Sequence, residues 1–254
     1  VSGRLSGKRA LVTGAAKGLG AEIARTFVRE GCRVMLTDID TANGEALAAS
    51  LGDAASFLAL DVGNRAAWAE AIAATEAAFG GLDILVNNAG IMEPGDIETV
   101  SEDLHARTMR VHVDGTLWGC QVALPLMVKS GGGSIINMAS VASLRGAGHV
   151  VSYCTAKGAI ESMTRAISDH CKLKANGVRA NTLHPAGMVT PMVADFFDSL
   201  GLDGAIDDPA LGSPAEVAAA ALFLASEDSR FMSGQRVVID NGIMHMPGML
   251  LPSA

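Results

Sequence analysis

Tyr153 and Lys157 stand four positions apart in Tyr153-Cys154-Thr155-Ala156-Lys157, and Tyr153 is the only tyrosine among the 254 residues. On a helix that spacing puts both side chains on one face, about one turn apart. A free phenol titrates near ~10 and holds its proton at neutral pH. A nearby ammonium favours the phenolate, so Lys157 is expected to lower the Tyr153 pKa and make it a general acid/base. A Tyr and a Lys on one helical face are also common without any chemistry. The meaning of the pair therefore depends on what the chain places around it.

A second group of residues suits phosphate. The apolar run Ala10-Leu11-Val12 leads straight into Thr13-Gly14-Ala15-Ala16-Lys17-Gly18-Leu19-Gly20, and a helical pattern with Ile23, Phe27 and Val28 on one face comes next. Strand, glycine loop and helix is the context of a pyrophosphate-binding turn. Glycines let the backbone approach, and the helix N-terminus offers free N–H groups and the positive end of its dipole. The spacing is G-x-x-x-G-x-G rather than the general G-x-G-x-x-G fingerprint, and a tight turn alone would also use glycines. The second strand, Arg33 to Thr37, ends in Asp38, placed where a carboxylate meets adenosine ribose hydroxyls. A carboxylate repels a 2'-phosphate, so Asp38 favours NAD over NADP, and Ile39 in place of Arg removes a further NADP signal. Lys17 pulls the other way.

The elements that must position these groups alternate regularly. Helices are expected over Ala42 to Leu51, Arg65 to Phe79, Ser101 to Met127 (one long or two abutting), Met188 to Gly201 and Pro214 to Ala225, and the helix that carries Tyr153 and Lys157 is expected to run to about Lys174. Strands are expected over Ser56 to Leu60, Leu82 to Val86, Ser134 to Met138, Val178 to Leu183 and Arg236 to Ile239. Ala156, Ile160, Met163 and Ile167 are expected to form the buried face of the Tyr153 helix. The alternation implies one parallel α/β sheet with helices on both faces. With no linker or repeat in sight, residues 1–254 are expected to make a single dinucleotide-binding domain.

Composition narrows the partners. Net charge is -8 with no basic run, which argues against nucleic acid. The longest apolar stretches are far too short to span a bilayer, and no secretory signal is expected. The four cysteines show no C-x-x-C spacing, so free thiols and a cytoplasmic location are expected. The six histidines suggest no metal cluster.

Taken together, these residues resemble the classical short-chain dehydrogenases/reductases. The resemblance rests on Thr13-Gly14-x-x-x-Gly18-x-Gly20, Asp61-Val62, Asn87-Asn88-Ala89-Gly90, Ser140, Tyr153-x-x-x-Lys157, and Pro185 with Thr190, in family order and with Ser140 thirteen residues before Tyr153. Stretches such as Ile135-Ile136-Asn137-Met138-Ala139-Ser140 and Met232-Ser233-Gly234 look most like the bacterial 3β/17β-hydroxysteroid dehydrogenase branch. The resemblance implies a Rossmann-type doubly wound sheet of about seven strands and a homotetramer. It implies that Ser140, Tyr153 and Lys157 are catalytic: Tyr153 exchanges the substrate proton, Ser140 holds the substrate oxygen, and Lys157 lowers the tyrosine pKa and holds the nicotinamide ribose. It also implies NAD contacts from Gly14, Lys17, Gly18, Leu19, Gly20, Asp38, Ile39, Asp61, Val62, Asn88, Ala89, Gly90, Tyr153, Lys157, Pro185, Gly187, Met188 and Thr190.

Two positions depart from the family. His112 stands where the family usually has an Asn that holds a water leading to the catalytic lysine. Histidine can donate and accept, and can change charge near neutral pH; either it replaces the Asn in the proton relay or it is a bulkier helix residue that impairs it. Ala186 separates Pro185 from Gly187, which the family commonly joins. On the substrate side, Met188, Met192, Val193, Phe196 and Phe197 suit an apolar lid over about 188–212, unless they are ordinary helix packing. Met92, Leu144, Val150 and Val151 suit further apolar walls, and the methionine-rich tail from His245 to Leu251 suits a reach toward a neighbouring subunit. A lipophilic secondary alcohol or ketone, of hydroxysteroid or cyclic terpene alcohol type, is the expected substrate. An NADP-dependent carbonyl reductase and a cofactor-binding module without catalysis are the alternatives.

Overall fold

The structure is a computed structural model that describes residues 3–202 and 204–245. Seven parallel strands form one sheet: β1 (Arg9–Thr13), β2 (Arg33–Asp38), β3 (Ala55–Ala59), β4 (Ile84–Asn87), β5 (Gly133–Met138), β6 (Val178–Pro185) and β7 (Arg236–Ile239), in the order β3-β2-β1-β4-β5-β6-β7. The order reverses direction at β1 and β4. Open α/β sheets bind ligands in the crevice outside the strand ends at such a switch. The strands read as continuous apolar runs because both faces are covered. On one face Phe27, Ile23 and Val34 pack with Val217, Ala221 and Leu224; on the other Trp68, Phe79 and Leu85 pack with Met127 and Ile135.

The helices are α1 (Gly18–Arg29), α2 (Thr41–Leu51), α3 (Arg65–Phe79), α4 (Glu102–Met109), α5 (Gly115–Lys129), α6 (Val151–Leu173), α7 (Pro191–Ser199) and α8 (Pro214–Ala225). Local sequence explains several ends. Ser213 and Glu216 form a reciprocal capping box with Pro214 at the first helical position. Ser101 caps α4 by accepting from the Leu104 amide. The stretch expected as one or two helices is two, joined by a π-helical turn over Arg110–Asp114 that carries His112. A π turn widens the helix by one residue and rotates the side chains beyond it.

The buried face of α6 differs from the apolar stripe expected of it. Ala156 and Ile160 are buried, but Met163 and Ile167 are only half-buried. Lys157, Glu161, Thr164 and Ser168 lie buried instead. Each has a polar partner: Lys157 on the Met138 carbonyl, Thr164 on the Asn137 amide, Ser168 on Ser233, and Glu161 on Arg165 and Arg236. Polar burial of this kind is tolerated only where hydrogen bonds replace water. It also fixes α6 against β5 in one register, which apolar contacts alone would allow to slide.

Candidate active site

The glycine loop is pressed against the end of β4. The Asn88 side-chain amide donates to the carbonyls of Thr13 at 2.9 Å and Gly14 at 3.1 Å. The Thr13 hydroxyl in turn accepts from the backbone amides of Asn88 and Ala89, both at 3.0 Å. Gly14 has φ +62°, and a Cβ there would lie 2.8 Å from the Ala89 Cα. That close approach requires glycine. Behind the loop, α1 begins at Gly18 with Lys17 as an extended N-cap. No side chain caps it and no acid stands in its first turn. Its free N–H groups and dipole are therefore left for an anion. A dinucleotide fits this donor set: pyrophosphate at α1, and ribose at Asp38.

Asp38 closes β2, and its carboxylate accepts from the Ala16 amide at 2.9 Å and the Asp40 amide at 3.0 Å. The loop thus holds the carboxylate in place at the strand end, with Ile39 exposed beside it and Lys17 exposed in the loop. Asp61 is exposed after β3, its carboxylate accepting from the Gly63 amide at 2.9 Å, while Val62 is buried. Thr190 caps α7 and lies beside Gly18. Leu19 is half-buried against the core, and Gly20 is buried.

Ser140, Tyr153, Lys157 and His112 converge at the carboxyl ends of β4 and β5. Ser140 follows β5 with an extended backbone, and its hydroxyl accepts from the Ala142 amide at 3.1 Å. Tyr153 is half-buried in the first turn of α6. Burial pushes its phenol up to about 12, while the hydrogen bond from Ser140 pulls it the other way. Lys157 is 3% exposed, and its ammonium donates to the Met138 carbonyl at 2.7 Å. Burial pushes it down to about 7. The expected lowering of the tyrosine pKa by Lys157 is not what this arrangement produces. The ammonium is directed at Met138, 5.3 Å from the Tyr153 ring centre, and desolvation opposes both charges.

His112 meets Tyr153 edge to face, with ring centres 5.4 Å apart. Its Nε2 lies 2.8 Å from the Ile91 carbonyl and 3.0 Å from the Ile91 amide nitrogen. One nitrogen cannot donate and accept at once, so a bond to the carbonyl leaves Nδ1 as a bare acceptor. Among the described residues that buried Nδ1 has no hydrogen-bond partner. Burial first, and Lys157 second, push the imidazole down to about 3. The change of charge near neutral pH that the residue type allows is therefore suppressed here. Gly90 is tied to this histidine, since a Cβ at Gly90 would collide with the His112 ring.

The residues expected to form the apolar walls and lid are mostly half-buried. Met92, Leu144, Val151, Met192, Phe196 and Phe197 are half-buried, and Val150 is buried. A parallel bridge joins Gly95 to Val150, holding the Met92 and Leu144 loops together. Met188 does not belong with the lid residues. It is 3% exposed and packs into the core with Leu183 and Val217. A bridge between Met188 and Gly212 pins the two ends of the intervening segment, and no residue of α7 is fully buried. Pro185 ends β6, and the Ala186 amide donates to Ile239 at 2.9 Å, so the inserted alanine is absorbed by pairing with β7. Gly187 is next, closed over by Leu211. Of the methionine-rich tail, residues 246–251 lie outside the described residues.

Sequence reasoning overlooked the Met138 carbonyl, the Ile91 backbone and His184. His184 is fully buried behind Ser140. Only the register of β5 against β6, with Met138 opposite Leu183, puts it there.

Comparisons with known proteins agree with this geometry. A family model described as enoyl-(acyl carrier protein) reductase matches residues 14–244. A 3-beta-hydroxysteroid dehydrogenase of Comamonas testosteroni is 38% identical over 97% of this chain and 99% of its own. A trans-4-hydroxycyclohexanecarboxylate dehydrogenase of Sinomonas cyclohexanicum is 36% identical, covering 95% of each chain. An NADP-dependent (R)-specific alcohol dehydrogenase of Lentilactobacillus kefiri is 35% identical over 94% of this chain and 97% of its own. The solved structure of a 3-ketoacyl-(acyl-carrier-protein) reductase from Brucella melitensis complexed with NADH superposes with a TM-score of 0.87 at 32% identity, over 94% of this chain and 98% of that one. The chain belongs to the short-chain dehydrogenase/reductase family, is most like its hydroxysteroid dehydrogenase branch, and is an oxidoreductase acting on alcohols.

Proposed function

We propose that this protein is an NAD-dependent dehydrogenase of lipophilic secondary alcohols, of the hydroxysteroid or cyclic alcohol type. The observation that carries the reading is the convergence of Ser140, Tyr153 and Lys157 beside an uncapped helix N-terminus, with Asp38 held at the end of β2. A nicotinamide supplies the hydride acceptor for oxidation and the hydride donor for reduction. In oxidation the Tyr153 hydroxyl releases its own proton toward Lys157 as its oxygen takes the proton of the substrate hydroxyl; in reduction it gives its proton to the carbonyl oxygen and is reprotonated from the lysine side. Ser140 donates a hydrogen bond to the substrate oxygen and keeps it within reach of Tyr153. Lys157, its titration pushed down to about 7, passes the proton onward, and it would be the residue to hold the nicotinamide ribose hydroxyls when a dinucleotide is bound. His112, neutral and with an unpartnered Nδ1, takes the place of the family Asn in that relay.

Asp38 supports NAD, because its carboxylate lies where a 2'-phosphate would meet like charge. Apolar walls from Met92, Leu144, Val150, Met192 and Phe196 support a lipophilic substrate, and the pinned ends of the 188–212 segment suit a lid in a single catalytic domain over 1–254. The steroid and cyclohexane substrates in the names of two relatives point the same way. Among the described residues no helix is long and apolar enough to cross a membrane. A cytoplasmic homotetramer is the assembly proposed. Exposed Lys17, and the NADP dependence in the name of the third relative, favour an NADP-dependent carbonyl reductase as the second reading.

Initial rates with a panel of steroid, terpene and simple cyclic alcohols, each with NAD and with NADP, separate the two. Faster turnover with NAD is expected; a clear NADP preference replaces the first reading with the second.

A further inference from the structure

The sequence places His184 only as the end of a strand, and neither proton transfer nor cofactor binding needs it directly. It is nevertheless fully buried and makes three side-chain hydrogen bonds, all near Ser140. Its Nδ1 lies 3.1 Å from the Ser140 carbonyl and 3.0 Å from the Ser143 hydroxyl. A carbonyl oxygen only accepts, so Nδ1 carries the hydrogen. The Ser143 hydroxyl donates to the same carbonyl at 2.7 Å, leaving its own lone pair free for the shared Nδ1–H. On the far side Nε2 lies 2.8 Å from the Thr182 hydroxyl, which donates to it in preference to the Gln235 carbonyl at 3.4 Å. Every hydrogen in this chain has one consistent direction: Thr182 to His184, His184 to Ser140 and Ser143, Ser143 to Ser140. Burial lowers the ring's pKa and so favours the neutral form in which that tautomer exists.

Neighbouring contacts make the arrangement a clamp. The Ala139 amide donates to the Leu183 carbonyl at 2.8 Å. The Ser140 hydroxyl lies 3.5 Å from the Pro185 carbonyl, a long contact that it can leave for a substrate oxygen. Three successive residues of β6 thus hold two successive residues after β5. Of the three grips from β6, only the His184 ring holds the Ser140 carbonyl, which within its own turn also accepts from the Ser143 amide at 3.0 Å and the Ser143 hydroxyl at 2.7 Å. Ser140 otherwise sits on a turn whose backbone has left the sheet ladder, so its hydroxyl position depends on what fixes that carbonyl.

We propose that His184 is a positioning residue that sets the place of the Ser140 hydroxyl through the Ser140 carbonyl, with Thr182 selecting its Nδ1–H tautomer. The inference rests on the dehydrogenase reading above and deepens it. Misplacing a reacting group by about 1 Å costs on the order of 100-fold in rate, so the effect belongs in kcat rather than in cofactor binding.

The test is steady-state kinetics of wild type, H184L, H184N, S140A and S140A/H184L, using NAD and the alcohol that wild type oxidises fastest. H184L is expected to lower kcat by about 10- to 100-fold, with the KM for NAD nearly unchanged. H184N places an amide N–H near the lost Nδ1–H and should recover most of that loss. On the S140A background H184L should have almost no further effect, because a residue acting through Ser140 has nothing left to act on. A wild-type kcat in H184L overturns the proposal, and so does a full loss repeated on the S140A background, which marks a merely structural residue. If H184L does not fold, T182V carries the test: the ring stays but loses the donor to Nε2, and kcat should fall about fivefold. An unchanged kcat in T182V then overturns the proposal. A wild type that oxidises no alcohol with either cofactor removes the dehydrogenase reading and this role with it, a result distinct from an active wild type with an insensitive H184L.

Discussion

The Lys157 ammonium donates to the Met138 carbonyl at 2.7 Å, one turn of helix from Tyr153 and on the side of α6 that faces the sheet. The lysine is therefore a buried amine whose one hydrogen-bond partner among the described residues is that carbonyl, and burial drives its titration from 10.5 to about 7. Tyr153, one turn earlier, is driven the opposite way, to about 12, by the same cause. Near neutral pH the phenol is thus held protonated, while the lysine sits at the midpoint between ammonium and amine.

Lys157→Met should change how stability depends on pH. The lysine is charged in both folded and unfolded states below about 7, neutral in both above 10.5, and charged only in the unfolded chain in between. The unfolded state then binds more protons, so wild-type stability rises with pH across that window relative to the variant. Urea denaturation of both proteins at pH 6 and pH 9.5 checks this. A wild-type minus variant stability that stays constant or falls from pH 6 to pH 9.5 would show that the lysine is not desolvated as described.

Tyr153→Phe should lower turnover by roughly 10²- to 10⁴-fold, the usual worth of a positioned proton-transfer group. Cofactor binding should survive, since the glycine loop, Asp38 and α1 do not depend on the phenol. Fluorescence titration with NADH alongside steady-state rates reads both, and substantial remaining turnover would overturn the assignment of the proton to Tyr153.

His112→Asn should leave the shape of the pH–rate profile unchanged between pH 5 and pH 9, because the imidazole, pushed down to about 3, does not titrate there. The amplitude should change, since Asn reshapes the acceptor next to Lys157. An unaltered kcat would deny His112 any distinct part in the relay, and a lost inflection near pH 6 would show that it ionises.

Gly90→Ala should destabilise the protein by about 1–3 kcal/mol, the usual cost of overpacking a filled site, because the new methyl group meets the His112 ring. Combining it with His112→Asn should relieve much of that cost, a coupling of the kind seen between residues in contact. Thermal melts of the two single variants and the double variant measure it; strictly additive effects would mean that the ring does not limit position 90.

Ser213→Ala should cost about 1 kcal/mol through loss of the α8 N-cap. Both halves of the capping box are formed, the Glu216 carboxylate accepting from the Ser213 amide at 2.9 Å. A lowered melting temperature of the corresponding size, read by thermal melts, is the expected result; an unchanged melting temperature would show that the cap does not stabilise α8.

Much of the fold and the site is legible in the chain alone. Strand, turn and helix alternate with strong local signals, and the expected strands and helices match those observed to within a few residues. The glycine loop, Asp38, Ser140, Tyr153 and Lys157 are legible because each sits at a strand end or a helical spacing that local geometry nearly dictates. The α6 stripe differs from expectation because hydrophobic periodicity assumes that buried means apolar. On α6 the buried positions include Lys157, Glu161, Thr164 and Ser168, each with a polar partner from an element distant in sequence. Met188 differs for the converse reason: an apolar residue beside a functional loop reads as part of a lid, and the sheet draws it into the core.

The sequence by itself determined the order of elements, the parallel sheet they imply, and the residue types available for proton transfer, because helix and strand periods, glycine turns and caps are local properties. The tertiary structure alone decided what those residues face. The β5–β6 register puts His184 behind Ser140. The π turn brings His112 against Tyr153 and Gly90 with one nitrogen unpartnered. Burial depth, which no local pattern carries, moves Lys157 and Tyr153 away from their ordinary titration ranges in opposite directions. Those three outcomes depend on which surfaces meet after folding, and desolvation acts only on groups that other parts of the chain have covered.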